Sequence, residues 1–266
     1  TRYLTHVLLG DSLRNVEPIK ASESYKKSLN TIRDLAKDSP DDPWILQNLA
    51  VSLDNTSDML HSTDPERALK QYRESLSIRR DLAKVRSGDL RIKRGIAISL
   101  SNIADIVRNT DPEQALTLYQ ESLTILRDLA ETQPNDLRTR RDLTVSLDNM
   151  ANILSNINPE QALGLYRESL AIRRDLTNTQ PGDFLTLRDL TISLNNVADT
   201  LEHSDPGQAL ELYRESLAIT HTIAEARPND LEILRDLGLS LNNVSSMLCS
   251  GDHEQSLELY QKSLNI

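Results

Sequence analysis

Apolar and small residues recur along this chain at helical spacing, and the pattern they form is itself repeated. Between Asp111 and Ile157, one set (Ala115, Tyr119, Ser122, Leu123, Leu126, Leu129) recurs every turn of a helix, and so does a second (Leu143, Leu147, Met150, Ala151, Leu154). This period predicts two amphipathic helices, each with one buried stripe. The second stripe returns as Leu190, Leu194, Val197, Ala198 and Leu201, and again as Leu237, Leu241, Val244, Ser245 and Leu248. Each helix should be about 20 residues, or roughly 30 Å, long. Strand-like alternation is absent, so the sequence reads as all-α.

Punctuation fixes the helix starts. Pro18, Pro65, Pro112, Pro159, Pro206 and His253 stand 47 residues apart. One helix of each pair, which we term B, is expected to begin at Asp64, Asp111, Asn158, Asp205 or Asp252, whose side chains cap free backbone N–H groups. Proline follows in four of the five, at the first helical position, where its missing donor is harmless. Gln114, Gln161, Gln208 and Gln255 sit three residues after the cap, the pattern of a capping box. Links such as Gln133-Pro134-Asn135-Asp136, Gln180-Pro181-Gly182-Asp183, Arg227-Pro228-Asn229-Asp230 and Arg86-Ser87-Gly88-Asp89 stop helix B, and their Gly or Asn suits a turn with positive φ. Asp42, Asp89, Asp136, Asp183 and Asp230 then cap helix A.

A fixed period of this size predicts a solenoid in which each helix pair buries its stripe only by stacking on its neighbours. The repeats run approximately 1–39, 40–86, 87–133, 134–180, 181–227 and 228–266, as one solenoid over 1–266. Thr1 to Val16 align with helix A, and Ile266 aligns with Ile172 within helix B, so both ends are expected to cut through a repeat of a longer protein. Without polar terminal repeats, self-association through the ends is also expected.

Composition narrows the function. Hydrophobic residues make up 38%, with one Trp, one Phe and seven Tyr, which suits a thin structure with many small interfaces. A net charge of −10 argues against nucleic-acid and anionic-membrane partners, both of which need a basic surface. There is no apolar run long enough to span a bilayer and no signal-peptide pattern. Cys249 is the sole cysteine, which fits a cytoplasmic protein without disulfides or a thiolate metal cluster. His6, His61, His203, His221 and His253 follow no metal-binding spacing, and neither a Gly-rich phosphate loop nor a nucleophile elbow is present. No cofactor or catalytic activity is expected.

Ala151, Ala162, Tyr166 and Ser169 fall where small, small, aromatic and small residues fall in the tetratricopeptide repeat, and Leu9-Gly10 matches that family's Leu-Gly pair. The chain resembles that family throughout, in a long variant whose period of 47 exceeds the usual 34. Leu194-Asn195-Asn196-Val197-Ala198 is similar to the Leu-Asn-Asn-Leu-Ala of the kinesin light chain, and such long repeats also occur in bacterial multidomain proteins. The resemblance implies a right-handed α-α superhelical solenoid of about six helix pairs, helix A lining a concave groove and helix B the convex back. It further implies an interaction scaffold whose partner is a protein or extended peptide. A rival reading is the regulatory arm of a larger enzyme, such as a caspase-like peptidase or a nucleotide-binding signalling protein.

Counting back one turn at a time from Asn152 gives Asp148 and Asn149, Val145 and Arg141, a polar stripe beside the buried one. Its copies form two ladders: Asn55, Asn102, Asn149, Asn196 and Asn243; and Arg94, Arg141, Arg188 and Arg235, with Gln47 interrupting. An Asn carboxamide can bond an extended backbone as donor and acceptor, and an Arg fork matches a carboxylate or phosphate. Alternatively the Asn bridge neighbouring helices, and the Arg pair with Asp142, Asp189 and Asp236. A third row, Asp11, Asp58, Asp105 and Asp199, interrupted by Asn152 and Ser246, disfavours the terminal-carboxylate clamp of co-chaperone repeats.

Overall fold

In the computed structural model, residues 2–249 and 251–265 are described, and among them lie twelve α-helices and no strand. The helix A copies are α1 (Arg2–Leu13), α3 (Pro43–Leu60), α5 (Leu90–Val107), α7 (Leu137–Leu154), α9 (Phe184–Leu201) and α11 (Leu231–Leu248). The helix B copies are α2 (Pro18–Asp38), α4 (Pro65–Val85), α6 (Pro112–Thr132), α8 (Pro159–Thr179), α10 (Pro206–Ala226) and α12 (His253–Leu264). Complete A helices have 18 residues and complete B helices 21. None is long and apolar enough to cross a membrane. The chain forms two compact units, residues 1–142 and 143–266, and within each the consecutive helices pack pairwise in antiparallel order.

Capping follows the sequence with one difference. The carboxylate of Asp111 accepts from Gln114 N–H at 3.0 Å, and Asp64, Asn158, Asp205 and Asp252 act alike. The glutamines do not close a reciprocal box, because the cap's own N–H is already taken: Asp111 N–H donates to Val107 O at 2.7 Å and Asp205 N–H to Leu201 O at 2.8 Å. The end of helix A thus satisfies what the glutamine would have satisfied, and the two helices join with almost no loop. Each link closes through Asp N–H to the carbonyl three residues back, as Asp136 does to Gln133 at 3.0 Å. Of the expected positive-φ positions only Gly182 (φ 86°) adopts one. Its Pro181-Gly182 centre is of type II, whereas Asn135, Asn229 and Gly88 keep negative φ, as a type I turn permits.

Close helix approach depends on the small residues. Ala21, Ala68, Ala115, Ala162 and Ala209 are fully buried, as are Ala104, Ala151 and Ala198 on helix A. At that helix A register the first copy has Gly10, where an added Cβ would lie 2.5 Å from the Tyr25 ring. A buried serine row braces each unit: Ser75 donates to Ala50 O and Ser122 to Ala97 O in one, and Ser169 to Thr144 O and Ser263 to Gly238 O in the other. Each such bond contributes roughly 1 kcal/mol and satisfies a hydroxyl held away from water, whereas Ser216 Oγ, at the same register, is buried without a hydrogen-bond partner among the described residues.

Candidate partner-binding face of helix A

Residues four apart on helix A share a face. On α5 this brings Arg94, Ile98 and Asn102 into one column, on α9 Arg188, Ile192 and Asn196, and on α11 Arg235, Leu239 and Asn243. On α3 the column is Gln47, Val51 and Asn55, and α7 carries Arg141, Val145 and Asn149. The middle member is aliphatic in every copy, beginning with Leu4 on α1. Leu4, Val145, Ile192 and Leu239 are 49%, 46%, 45% and 57% exposed, and Val51 and Ile98 are half-buried. Sequence reasoning placed Val145 on the polar stripe without seeing this row. The signal was its 47-residue recurrence, hidden because one aliphatic residue among polar neighbours looks incidental.

The arginines differ from one another. Arg94 Nε donates to Asp142 Oδ2 at 2.5 Å, and Arg188 reaches Asp236 at 2.9 Å and Glu232 at 3.0 Å. These two therefore tie one A helix to the next within their units. Burial pushes the Asp142 carboxyl up despite Arg94, while Asp236 and Glu232 outweigh desolvation and hold the Arg188 guanidinium above its ordinary value. Arg235 projects into solvent and, among the charged side chains of the described residues, pairs only with its neighbour Asp236, at 3.5 Å. Arg141 is half-buried on α7, and the five ladder asparagines are half-buried too.

The acidic row has a partner that sequence did not reveal. The Tyr25 hydroxyl donates to Asp11 at 2.8 Å, Tyr72 to Asp58 at 2.6 Å, Tyr213 to Asp199 at 2.5 Å, and Tyr119 to Asp105. Where Asn replaces Asp, Tyr166 donates to Asn152 Oδ1 at 2.6 Å. Every pair is 14 residues apart, so helix B's core tyrosine reaches under helix A and fixes its outer edge. Burial, then the Asp11 hydrogen bond, push the Tyr25 hydroxyl up to about 12, and burial pushes Tyr166 up to about 12. Tyr72, Tyr119 and Tyr213 are raised as well, first by burial and then by their aspartates.

Beneath the face lie two buried ion pairs. Arg79, only 4% exposed, meets Asp54 at 2.5 Å and donates to Ser75 and Ser99; Arg173 meets Asp148 at 2.8 Å and donates to Ser193. Burial pushes the Asp54 and Asp148 carboxyls up, opposed by these guanidiniums. Asp148 thus lies under the stripe on which the sequence placed it. Gly95 makes room for the first pair, since a Cβ there would lie 2.4 Å from Arg79 Nε.

No protein-family model matches the chain, nor does any curated protein. Solved structures do. The apo form of RapI is 14% identical with a TM-score of 0.55, covering 100% of this chain and 97% of its own. A Rap protein complexed with competence and sporulation factor is 14% identical with a TM-score of 0.59, covering 99% of this chain and 74% of its own. The likeness shows the fold, a tetratricopeptide-type array of antiparallel helix pairs.

Proposed function

We propose that the protein is a non-catalytic interaction scaffold that holds an extended peptide segment on the helix A face. The observation that carries this reading is the aliphatic row, present in every repeat, four of whose six members intramolecular packing leaves exposed and two half-buried. Apolar side chains of a ligand bury against Val145, Ile192 and Leu239, and Asn149, Asn196 and Asn243 bond its backbone one turn away. Val51 and Ile98 with Asn55 and Asn102 offer the same arrangement in the first unit. In the second unit Arg235 supplies a solvent-facing guanidinium, Asn152 adds a carboxamide at the edge and Arg188 sets the other border, as Arg94 and Arg141 do in the first unit. The Rap protein of like fold was solved in complex with competence and sporulation factor, so an array of this kind can hold a ligand.

The test is a peptide-library selection on wild type, Ile192→Glu/Leu239→Glu, Asn196→Ala/Asn243→Ala and Arg188→Ala/Arg235→Ala. Peptides rich in aliphatic residues should be enriched on wild type and lost from the Glu variant, with helicity unchanged. Equal enrichment on all four proteins would show that the face is structural and the reading wrong.

A further inference from the structure

Arg–Asp rungs join neighbouring A helices at Arg94–Asp142 and at Arg188–Asp236, and one position in their register lacks such a rung. Residues 47 and 95 stand in the register of the Arg94–Asp142 and Arg188–Asp236 rungs, but they are Gln47 and Gly95. Gly95 has no carboxylate to offer, and its side is taken by the buried Arg79. Where the rung is missing, the first unit has a pocket of about 220 Å³, whose walls include Trp44, Gln47, Arg86, Asp89, Arg91 and Ile92.

Trp44, Gln47, Arg86 and Arg91 each have spare capacity. Trp44 is 54% exposed, its ring held edge-on by Tyr3 with centroids 6.3 Å apart. Gln47 Oε1 is buried without a hydrogen-bond partner, so turning its carboxamide toward a ligand N–H would exchange an orphaned acceptor for a bonded one. Arg91 is 86% exposed and is held only by two long 3.4 Å contacts to Asp89, which is itself engaged in capping α5. Arg86 has no carboxylate within ion-pair distance among the described residues. The local balance is two guanidiniums against one occupied carboxylate. The volume is below that of a drug-sized site and suits a single amino-acid unit. Asp58 of the acidic row, which disfavours carboxylates, lies eleven residues further along α3, about 16 Å away.

We propose that this pocket binds an apolar amino-acid unit bearing a free carboxylate and an N–H, the chemistry shared by a free amino acid and a peptide's C-terminal residue. The side chain lies on Trp44 and Ile92, the carboxylate between Arg86 and Arg91, and the N–H on Gln47. This assignment is independent of the peptide face described above.

Trp44 is the sole tryptophan, so its fluorescence reports the pocket directly. Wild type would be titrated with N-acetyl-leucine, leucine and N-acetyl-leucinamide at millimolar concentrations, as befits ligands of on the order of ten non-hydrogen atoms. A saturable change with a carboxylate ligand and none with the amide is expected. Response to both carboxylates would mark free amino acids as a source, and response to N-acetyl-leucine alone would mark peptide C-termini. Arg91→Ala should weaken binding about tenfold, as loss of a charge-assisted pair does, and Gln47→Leu, which removes the carboxamide that bonds the ligand N–H, should weaken it as well, both with unchanged circular dichroism. Flat titrations with both carboxylates, an equal response to the amide, or a response only to a short RNA that stacks on Trp44 would each overturn the assignment.

Discussion

A single small side chain decides whether two helices of this array can touch. Ala151 is fully buried at the register where Gly10 abuts Tyr25, so Ala151→Leu should overpack that junction and lower stability by about 1–3 kcal/mol. Urea denaturation checks this, and an unchanged midpoint would refute the assigned register. The tyrosines carry the second residue-scale consequence. A hydroxyl with an ordinary value of 10 is raised to about 12 in Tyr25 and Tyr166, so the folded state keeps those protons longer than the unfolded state does. Their contribution is therefore complete below pH 10 and is lost as pH rises through 12. The melting temperature should stay level up to about pH 10 and fall beyond it, in step with tyrosinate absorbance. A melting temperature that stays level well above that range would contradict the burial of these hydroxyls. The small residues and the tyrosines were legible as core because burial imposes helical spacing. Their hydroxyl partners were not, because a bond between residues 14 apart on two different helices leaves no mark in either helix's own periodicity.

At the scale of helices, caps and links were readable because each depends on a few contiguous residues, and Asp111 and Pro112 do what their types dictate. The unused half of the capping box was not readable, since it depends on where helix A's last carbonyls lie. The buried pairs Arg79–Asp54 and Arg173–Asp148 escaped notice for a related reason. An arginine in a helix otherwise rich in exposed charge looks solvated, and only the neighbouring helices show it to be enclosed. Breaking one partner should be severe: Asp54→Ala should lower stability by about 3–5 kcal/mol by leaving Arg79 buried and unpaired. Replacing both, as Asp54→Ala/Arg79→Leu, should recover most of that loss, because two desolvation penalties vanish together. A double variant as unstable as the sum of its singles would mean that Arg79 acts through Ser75 and Ser99 rather than through the ion pair.

For the whole molecule the 47-residue period announced the array, yet it runs unbroken through the division between Asp142 and Leu143, so nothing in the pattern foretold two compact units. The same regularity shows which outer surfaces are unusual. Leu264 on α12 is 85% exposed, whereas Leu76, Leu123 and Leu170 at its register are 7%, 0% and 6% exposed. Leu257 on the same helix is exposed as well, and Leu4, Leu8 and Leu9 of α1 stand open at the other end of the sequence. Open apolar faces on α12 and on α1 can each take up a second copy of this chain, and a contact between unlike faces gives a closed ring or an open filament according to its rotation. Opposing this, each copy carries a net charge of −10, so association is resisted by repulsion between like-charged molecules. Salt shortens the reach of that repulsion, to about 10 Å at 0.1 M and less above, and leaves the apolar gain in place. Light scattering should therefore show a mass that rises with protein concentration, more steeply as salt is added, and Leu257→Lys/Leu264→Lys should hold it at the monomer. A mass that stays monomeric at high salt, or a discrete dimer unaffected by the lysines, would rule out this mode of assembly.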